Sequence, residues 1–171
     1  MSYYWSRITK KSVQWGLPAS ISFEPTTSCN LKCPECPSGL RAFTRPTGML
    51  ENKFFEKSIL QLKKQLHYLI FYFQGEPYLN PKFLEMVKFA HDHKIYTATS
   101  TNAHYLKPSM AKKTIESGLD RLIISIDGTN QEVYQSYRKG GRLERVIEGA
   151  QNIVAAKREM NSSKPFVIFQ F

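Results

Sequence analysis

Hydrophobic and polar positions along the chain follow two alternating patterns, one typical of helices and the other of buried strands. Apolar residues from Phe55 to Leu66 recur at spacings of four and three, which predicts a helix over about 51–67 with a lysine-rich outer face. The run YLIFYF at 68–73 is continuously apolar, as is typical of a strand buried on both faces of a parallel sheet. The chain therefore begins as a strand and helix alternation rather than as a bundle or a sandwich.

The same alternation continues to the end of the chain. Short runs rich in β-branched or aromatic residues predict strands at 21–27, 95–101, 121–127 and 166–171. Apolar stripes and helix-start residues predict helices at 80–93, with Asn80 as N-cap, and at 108–118, 130–137 and from 143 onward. Long gaps between strands require right-handed crossovers, so we expect an α/β fold with a parallel sheet, either curled into a barrel or open.

Composition narrows the class of protein. Of the 171 residues, 42% are hydrophobic, which is enough for one ordinary core and excludes disorder of the whole chain. Residues 1–20 form a lead-in, and 21–171 are expected to form one domain. No apolar run reaches the roughly 20 residues that span a bilayer, and the N-terminus lacks a signal core, so we expect a cytoplasmic protein without membrane contact. A net charge of +10, spread along the chain, favours anionic ligands without choosing among them.

Three cysteines lie together directly after the first predicted strand. Cys29, Cys33 and Cys36 have the spacing CxxxCxxC, and this odd, tightly grouped set favours a metal over a disulfide framework. Three thiolates on one loop can hold three corners of a cubane iron–sulfur cluster and leave the fourth iron open. The alternative is zinc completed by a histidine, in a basic nucleic-acid-binding module, although the histidines lack the usual spacing.

Polar residues also follow the other predicted strands, at the carboxyl edge where parallel sheets bind ligands. Each group alone is an ordinary turn. Gly75 allows close approach to its backbone, and Glu76 can accept hydrogen bonds from a ligand ammonium group. The groups are Gln74, Gly75 and Glu76 after the second strand, Ser100 to Asn102 after the third, Ser125 to Gly128 after the fourth, and Arg138 on the short helix beyond.

The order of these motifs is more specific than any one of them. The segments EPTTSCNLKCPECPSG, FQGEPYLNP and IISIDGTNQEVYQSYR resemble the radical S-adenosylmethionine (radical SAM) superfamily. Within it they look like the branch with a C-terminal SPASM or Twitch extension, which includes peptide maturases and anaerobic sulfatase-maturing enzymes. The resemblance runs from about residue 21 to 171. It implies a partial (β/α) TIM-like barrel with about five of six βα units present.

The resemblance also implies cofactors and residue roles. Cys29, Cys33 and Cys36 would hold a 4Fe-4S cluster whose open iron binds the amine and carboxylate of SAM. Reductive cleavage of SAM would then produce a 5'-deoxyadenosyl radical that abstracts a hydrogen atom from a substrate. The remaining roles follow the motifs: Gln74, Gly75 and Glu76 on the SAM ammonium group, Ser125 and Arg138 on its carboxylate, and Ser100 and Asn102 near the ribose.

The resemblance also implies partners, and the sequence departs from the family pattern in two places. A reducing donor of the flavodoxin or ferredoxin type is expected, with a peptide, protein or small-molecule substrate and no nucleic acid. Glu35 stands where the family loop commonly has an aromatic residue near the adenine. The chain ends in an apolar fifth strand, so we expect a fragment, a truncated gene product or a chain completed by a partner or a missing C-terminal half, and we expect the isolated 171 residues to be poorly soluble or unstable. Because the family's sixth unit is missing, an inactive cluster-binding scaffold is a further alternative.

Overall fold

The computed structural model describes residues 1–171 and contains one parallel sheet. Its five strands lie side by side in chain order, and every neighbouring pair is parallel. The predicted α/β class and parallel sheet are confirmed. The strands are β1 (Ser20–Ser22), β2 (Tyr68–Phe71), β3 (Tyr96–Thr101), β4 (Arg121–Ser125) and β5 (Phe166–Gln170).

Seven helices connect or flank these strands. Helix α1 contains no buried residue, and α2 is a single turn inside the cysteine loop; neither was predicted from the sequence. None of the helices combines the length and the apolar character needed to cross a membrane. The helices are α1 (Ser2–Thr9), α2 (Pro37–Leu40), α3 (Asn52–Leu62), α4 (Phe83–Asp92), α5 (Pro108–Glu116), α6 (Gln131–Tyr137) and α7 (Leu143–Glu159).

The helices cover one face of the sheet and form the core with it. Leu69 and Phe71 of β2 and Leu122 and Ile124 of β4 are fully buried on this face. Removal of such side chains from water is the main favourable contribution to folding. The helix residues in the same core include Phe55, Ile59, Met86, Val87, Val146 and Ile153.

The other face, which we call the inner face, belongs to a partial barrel and is less buried. Because side chains alternate along a strand, the residues between the core positions point to this face. Neighbouring strands place Tyr68 beside Tyr96 and Ala98 beside Arg121. The residues of the inner face on the three central strands are Tyr68, Ile70, Tyr96, Ala98, Ser100, Arg121, Ile123 and Ser125.

Several predicted boundaries are wrong because tertiary contacts override local signals. Asn80 does not cap α4, which begins at Phe83. Its side-chain amide donates to the carbonyl oxygens of Pro25 and Leu50 at 2.7 and 3.1 Å, while its oxygen accepts from the Lys82 amide at 2.8 Å. Strand β1 is also shorter than predicted because the chain beyond it turns away. Thr26 forms an antiparallel bridge to Met49 instead.

Candidate functional site

The carboxyl edge of the sheet contains a cavity of about 330 Å³. The cysteine loop after β1 forms one wall, and the ends of β2, β3 and β4 form the opposite one. The cavity brings together nine of the ten residues selected from the sequence: Cys29, Cys33, Cys36, Gly75, Glu76, Ser100, Asn102, Ser125 and Arg138.

The cysteine loop is folded tightly against its own backbone. Helix α2 turns back so that a side chain at Gly39 would lie 2.5 Å from the Cys33 backbone, which only glycine avoids. The Lys32 amide donates to the Lys139 carbonyl oxygen at 2.9 Å and fixes the loop to the segment after α6. Cys33 is buried, and Cys29 and Cys36 are partly exposed to the cavity.

Each cysteine sulfur has a different polar neighbour. Arg138 Nη1 lies 3.8 Å from Cys33 Sγ, and Asn102 Nδ2 lies 3.9 Å from Cys29 Sγ. Cys36 Sγ lies 3.5 Å from the side-chain oxygen of Gln74. Burial raises the pKa of Cys29 to about 11, and burial also raises the pKa of Cys33. The free thiols of Cys29 and Cys33 are therefore protonated at neutral pH, and metal binding must displace those protons.

The thiol arrangement fits a cluster better than a single ion. No three His, Cys, Asp or Glu side chains are close enough to bind one metal ion together. Thiolates on a cubane cluster bind different irons, so they stand farther apart than the ligands of one zinc ion. His104 lies nearby, but its Nδ1 faces the Asn102 carbonyl oxygen at 2.8 Å and its Nε2 accepts from the Arg142 amide at 3.0 Å. Three cavity-lining thiols therefore suit three corners of an iron–sulfur cluster.

A hydroxyl group in α2 links the cysteine loop to the loop after β2. Ser38 Oγ donates to Gln74 Oε1 at 3.1 Å and accepts from the Gly75 amide at 2.9 Å. Gln74 does not line the cavity; its side chain contacts the cysteine loop from behind. Gly75 has φ +78°, and a Cβ there would lie 2.0 Å from the Thr26 carbonyl oxygen. Glycine at 75 is thus required by close contact between two protein loops.

Glu76 places a buried carboxyl group beneath the cavity. Its Oε1 accepts from Thr101 Oγ1 at 2.7 Å and from the Tyr78 amide at 3.3 Å, and its Oε2 accepts from the Asn102 amide at 2.9 Å. Burial raises the pKa of Glu76 to about 7, although these hydrogen bonds oppose the shift. A cation in the cavity would favour the charged carboxylate.

The ends of β3 and β4 present small polar groups. Ser100 Oγ and Ser125 Oγ lie 3.4 Å apart across the two strands. Asn102 Nδ2 donates to Asn30 Oδ1 at 2.8 Å, which joins the end of β3 to the cysteine loop. These contacts bring hydroxyl and amide groups to the cavity rim, where a sugar or a carboxylate can accept or donate hydrogen bonds.

Arg138 supplies the positive charge of the site. It forms a salt bridge with Asp127, and about four fifths of both side chains are removed from solvent. Burial alone lowers the pKa of Arg138, but the paired carboxylate more than offsets this and the net shift is upward. The pairing holds the guanidinium in the cavity with Nη1 toward Cys33. The sequence indicated Arg138 but not its anchor, because Asp127 resembled an ordinary turn residue.

Several residues of the site were not selected from the sequence. Ser38 contributes through the loop contact described above, and the cavity is also lined by Tyr72, Ile123 and Gln170. Strand alternation was the available signal, since Ile123 lies two residues before Ser125 on the same face. Glu35 was singled out for its position in the cysteine loop, but it is exposed and does not line the cavity.

Known proteins are similar to this chain in sequence or in fold. An AdoMet-dependent heme synthase of Methanosarcina barkeri is 31% identical over 138 residues, covering 78% of this chain and 38% of that protein. The solved structure of native anSMEcpe with bound AdoMet has a TM-score of 0.70 at 24% identity, covering 89% of this chain and 42% of that one. The structure of Streptococcus suis SuiB bound to precursor peptide SuiA has a TM-score of 0.68 at 21% identity, covering 82% of this chain and 31% of that one.

These similarities differ in what they establish. The two structures share the fold, and the chain spans less than half the length of all three proteins. The sequence profile of the radical SAM superfamily matches residues 23–164, from the residue after β1 to the segment just before β5. Members of that superfamily use a 4Fe-4S cluster and SAM. Because the match includes the cysteine loop and the polar motifs at the ends of β2, β3 and β4, the chain belongs to the radical SAM superfamily.

Proposed function

We propose that this chain is the cofactor-binding part of a radical SAM enzyme, with Cys29, Cys33 and Cys36 holding the cluster. The convergence of all three thiols with Glu76 and Arg138 around one cavity carries this proposal. Neither an isolated cysteine loop nor an isolated polar turn provides both cluster ligands and complementary charges. The cavity offers a buried acid and a fixed cation to a zwitterionic ligand.

The proposed roles follow from charge and hydrogen-bonding capacity. Glu76 and the backbone of Gly75 are assigned to the SAM ammonium group, with Gln74 supporting this loop from outside the cavity. Arg138 and Ser125 are assigned to the carboxylate, since Asp127 leaves Arg138 Nη1 directed into the site.

The hydroxyl and amide groups at the ends of β3 and β4 complete the assignment. Ser100 and Asn102 are assigned to the ribose, whose hydroxyl groups can both donate and accept. When bound, the reduced cluster supplies the electron that cleaves SAM to a 5'-deoxyadenosyl radical, which abstracts a hydrogen atom from the substrate. The protein's own contribution is to orient SAM and to exclude water from the radical.

The substrate and the reductant complete the proposed reaction. A peptide or protein substrate is supported by the similarity to SuiB, which was solved with a precursor peptide, and a small molecule by the similarity to a heme synthase. The electron donor is assigned to the flavodoxin or ferredoxin type. Both kinds of substrate would reach the cavity along the inner face, the side of the sheet that the helices leave uncovered.

The test is formation of 5'-deoxyadenosine by the purified chain. The protein is purified without oxygen, reconstituted with iron and sulfide, and incubated with SAM and dithionite. Wild-type chain should bind iron and sulfide and form 5'-deoxyadenosine. The variants C29A, C33A and C36A should each lose the product, because each removes one of three cluster ligands.

A matched control separates ligand loss from general damage to the loop. Lys32→Gln changes an exposed side chain of the same loop without touching the cavity, and it should retain cluster and product. A chain that binds zinc and no iron overturns the cluster assignment. A cluster-loaded chain that forms no 5'-deoxyadenosine refutes cleavage by these 171 residues alone and supports an inactive scaffold or a need for a further chain segment.

A further inference from the structure

Arg121 lies on the inner face without an acidic partner. No carboxylate oxygen lies within the 4 Å of a salt bridge, whereas Arg138, which lines the cavity, is paired with Asp127. The adjacent Asp120 does not compensate, because its carboxylate accepts from the Thr97 amide and pairs with Lys164. A partly buried positive charge without a counterion is unfavourable unless a ligand supplies one.

The hydrogen-bonding capacity of Arg121 is also incomplete. One terminal nitrogen, Nη2, donates to the hydroxyl oxygen of Tyr68. Its Nε is covered from solvent and has no hydrogen-bond acceptor, which makes it one of only three such buried side-chain atoms in the chain. A guanidinium group presents five N–H donors in a planar fork that matches the two oxygens of a carboxylate or phosphate.

Two stacked tyrosines fix the position of this guanidinium. The rings of Tyr68 and Tyr96 lie 5.4 Å apart with an interplanar angle of 16°, and Arg121 Cζ lies 5.5 Å from the centroid of the Tyr68 ring. Its neighbour across the strand pair is Ala98, which is fully buried. Stacking on an aromatic face restricts the arginine before any ligand arrives.

The position of Arg121 relates it to the cofactor cavity. Arg121, Ile123 and Ser125 share the inner face, and the last two line that cavity. Four residues of strand place Arg121 about 13 Å from Ser125 along β4. An anion held by Arg121 would therefore belong to a molecule that extends along the inner face toward the reactive end of SAM.

We propose that Arg121, braced by Tyr68 and Tyr96, binds an oxyanion of the substrate, a carboxylate or a phosphate, on the inner face. The identification of this anion as part of the substrate rests on the proposed function, whereas the binding of an anion at Arg121 does not. The substrate thereby belongs to the class of molecules that carry a negative group remote from the carbon that loses hydrogen.

The experiment follows the Arg121 Nε–H resonance in ¹H–¹⁵N spectra of the full chain, assigned through its backbone. Inorganic phosphate and, separately, acetate are titrated without SAM or reductant. We expect a saturable shift of this resonance with one or both anions, because an oxyanion bound at the guanidinium changes the environment of the covered Nε–H. A shift with phosphate alone identifies a phosphate site, and a shift with acetate alone identifies a carboxylate site.

Two variants make the assignment specific. Arg121→Lys retains the charge but loses the planar fork. It should raise the dissociation constant for the anion at least tenfold, as measured from the chemical shifts of the β4 backbone amides. Arg158→Gln removes an exposed arginine at the end of α7 and should leave binding within twofold of wild type. The wild-type resonance answers the question even if Arg121→Lys does not fold.

The proposal is overturned if neither anion shifts the wild-type resonance, or if Arg121→Lys binds as tightly as wild type. Failure of the proposed function is a separate result, since it would appear as a lack of 5'-deoxyadenosine with anion binding intact. Conversely, a chain that cleaves SAM but does not bind either anion at Arg121 retains its function and loses this substrate assignment.

Discussion

Replacement of Glu76 by Gln should change how the stability of the cluster-free chain depends on pH. Burial raises the pKa of Glu76 from its ordinary value of 4.5 to about 7 in the folded state. Between these values the folded protein holds a proton that the unfolded chain has already lost. The free energy of unfolding therefore falls as pH rises through this interval, whereas the neutral glutamine variant has no such dependence at residue 76.

The magnitude follows from the pKa difference. Moving the pKa from 4.5 to about 7, at about 1.4 kcal/mol for each pH unit, corresponds to about 3 kcal/mol in total. The contribution is fully present below pH 4.5 and is lost once the pH exceeds about 7. Between pH 5 and pH 8.5 the wild type should lose about 2.5 kcal/mol relative to Glu76→Gln.

Urea unfolding at pH 5 and pH 8.5 measures this difference directly. Subtracting the unfolding free energy of the variant from that of the wild type cancels the contributions of the other titrating groups. Glu35→Gln provides a control at an exposed glutamate with no partner in the cavity. A wild-type minus Glu76→Gln difference that changes by less than about 0.5 kcal/mol between the two pH values would refute the reasoning. If the SAM ammonium group binds beside Glu76 as proposed, addition of SAM should flatten the wild-type dependence, because a neighbouring positive charge favours the carboxylate.

Three further substitutions test the loop contacts and the core by urea unfolding. Gly75→Ala should cost about 3 kcal/mol, because its Cβ meets the Thr26 carbonyl and its φ is positive; an unchanged midpoint would contradict this packing. Ser38→Ala should cost about 1–3 kcal/mol by leaving the Gly75 amide without an acceptor, whereas exposed Ser163→Ala should cost almost nothing. Phe55→Ala should cost about 3–5 kcal/mol, since this ring is fully buried; a loss below 1 kcal/mol would place it outside the core.

The order and type of the main elements could be predicted because each has a strong local signal. The continuous apolar run at 68–73 and the helical spacing around Phe55 both correspond to observed elements, β2 and α3. Boundaries were less predictable, since they depend on partners distant in sequence. Asn80 has the local signature of a helix cap, yet its amide is used to tie the Pro25 and Leu50 backbones together.

The candidate site was predictable to the extent that it follows from strand polarity. Parallel strands end at a common edge, so the cysteines, Glu76 and Ser125 were expected near one another, and the cavity contains all of them. Which groups pair within the site was not accessible from sequence. Gln74 contacts the cysteine loop from outside the cavity through Ser38, and Arg138 is anchored by Asp127.

The sequence by itself determined the fold class, the order of the main strands and helices, the grouping of the three cysteines and the family, because each of these depends on periodicity or on short motifs. Tertiary structure alone decided the burial that raises the pKa of Glu76, the close contact that requires glycine at 75, and the unpaired guanidinium of Arg121 on the inner face. The physical reason is that desolvation, steric contact and ion pairing depend on distances between residues far apart in the chain, and only the folded arrangement sets those distances.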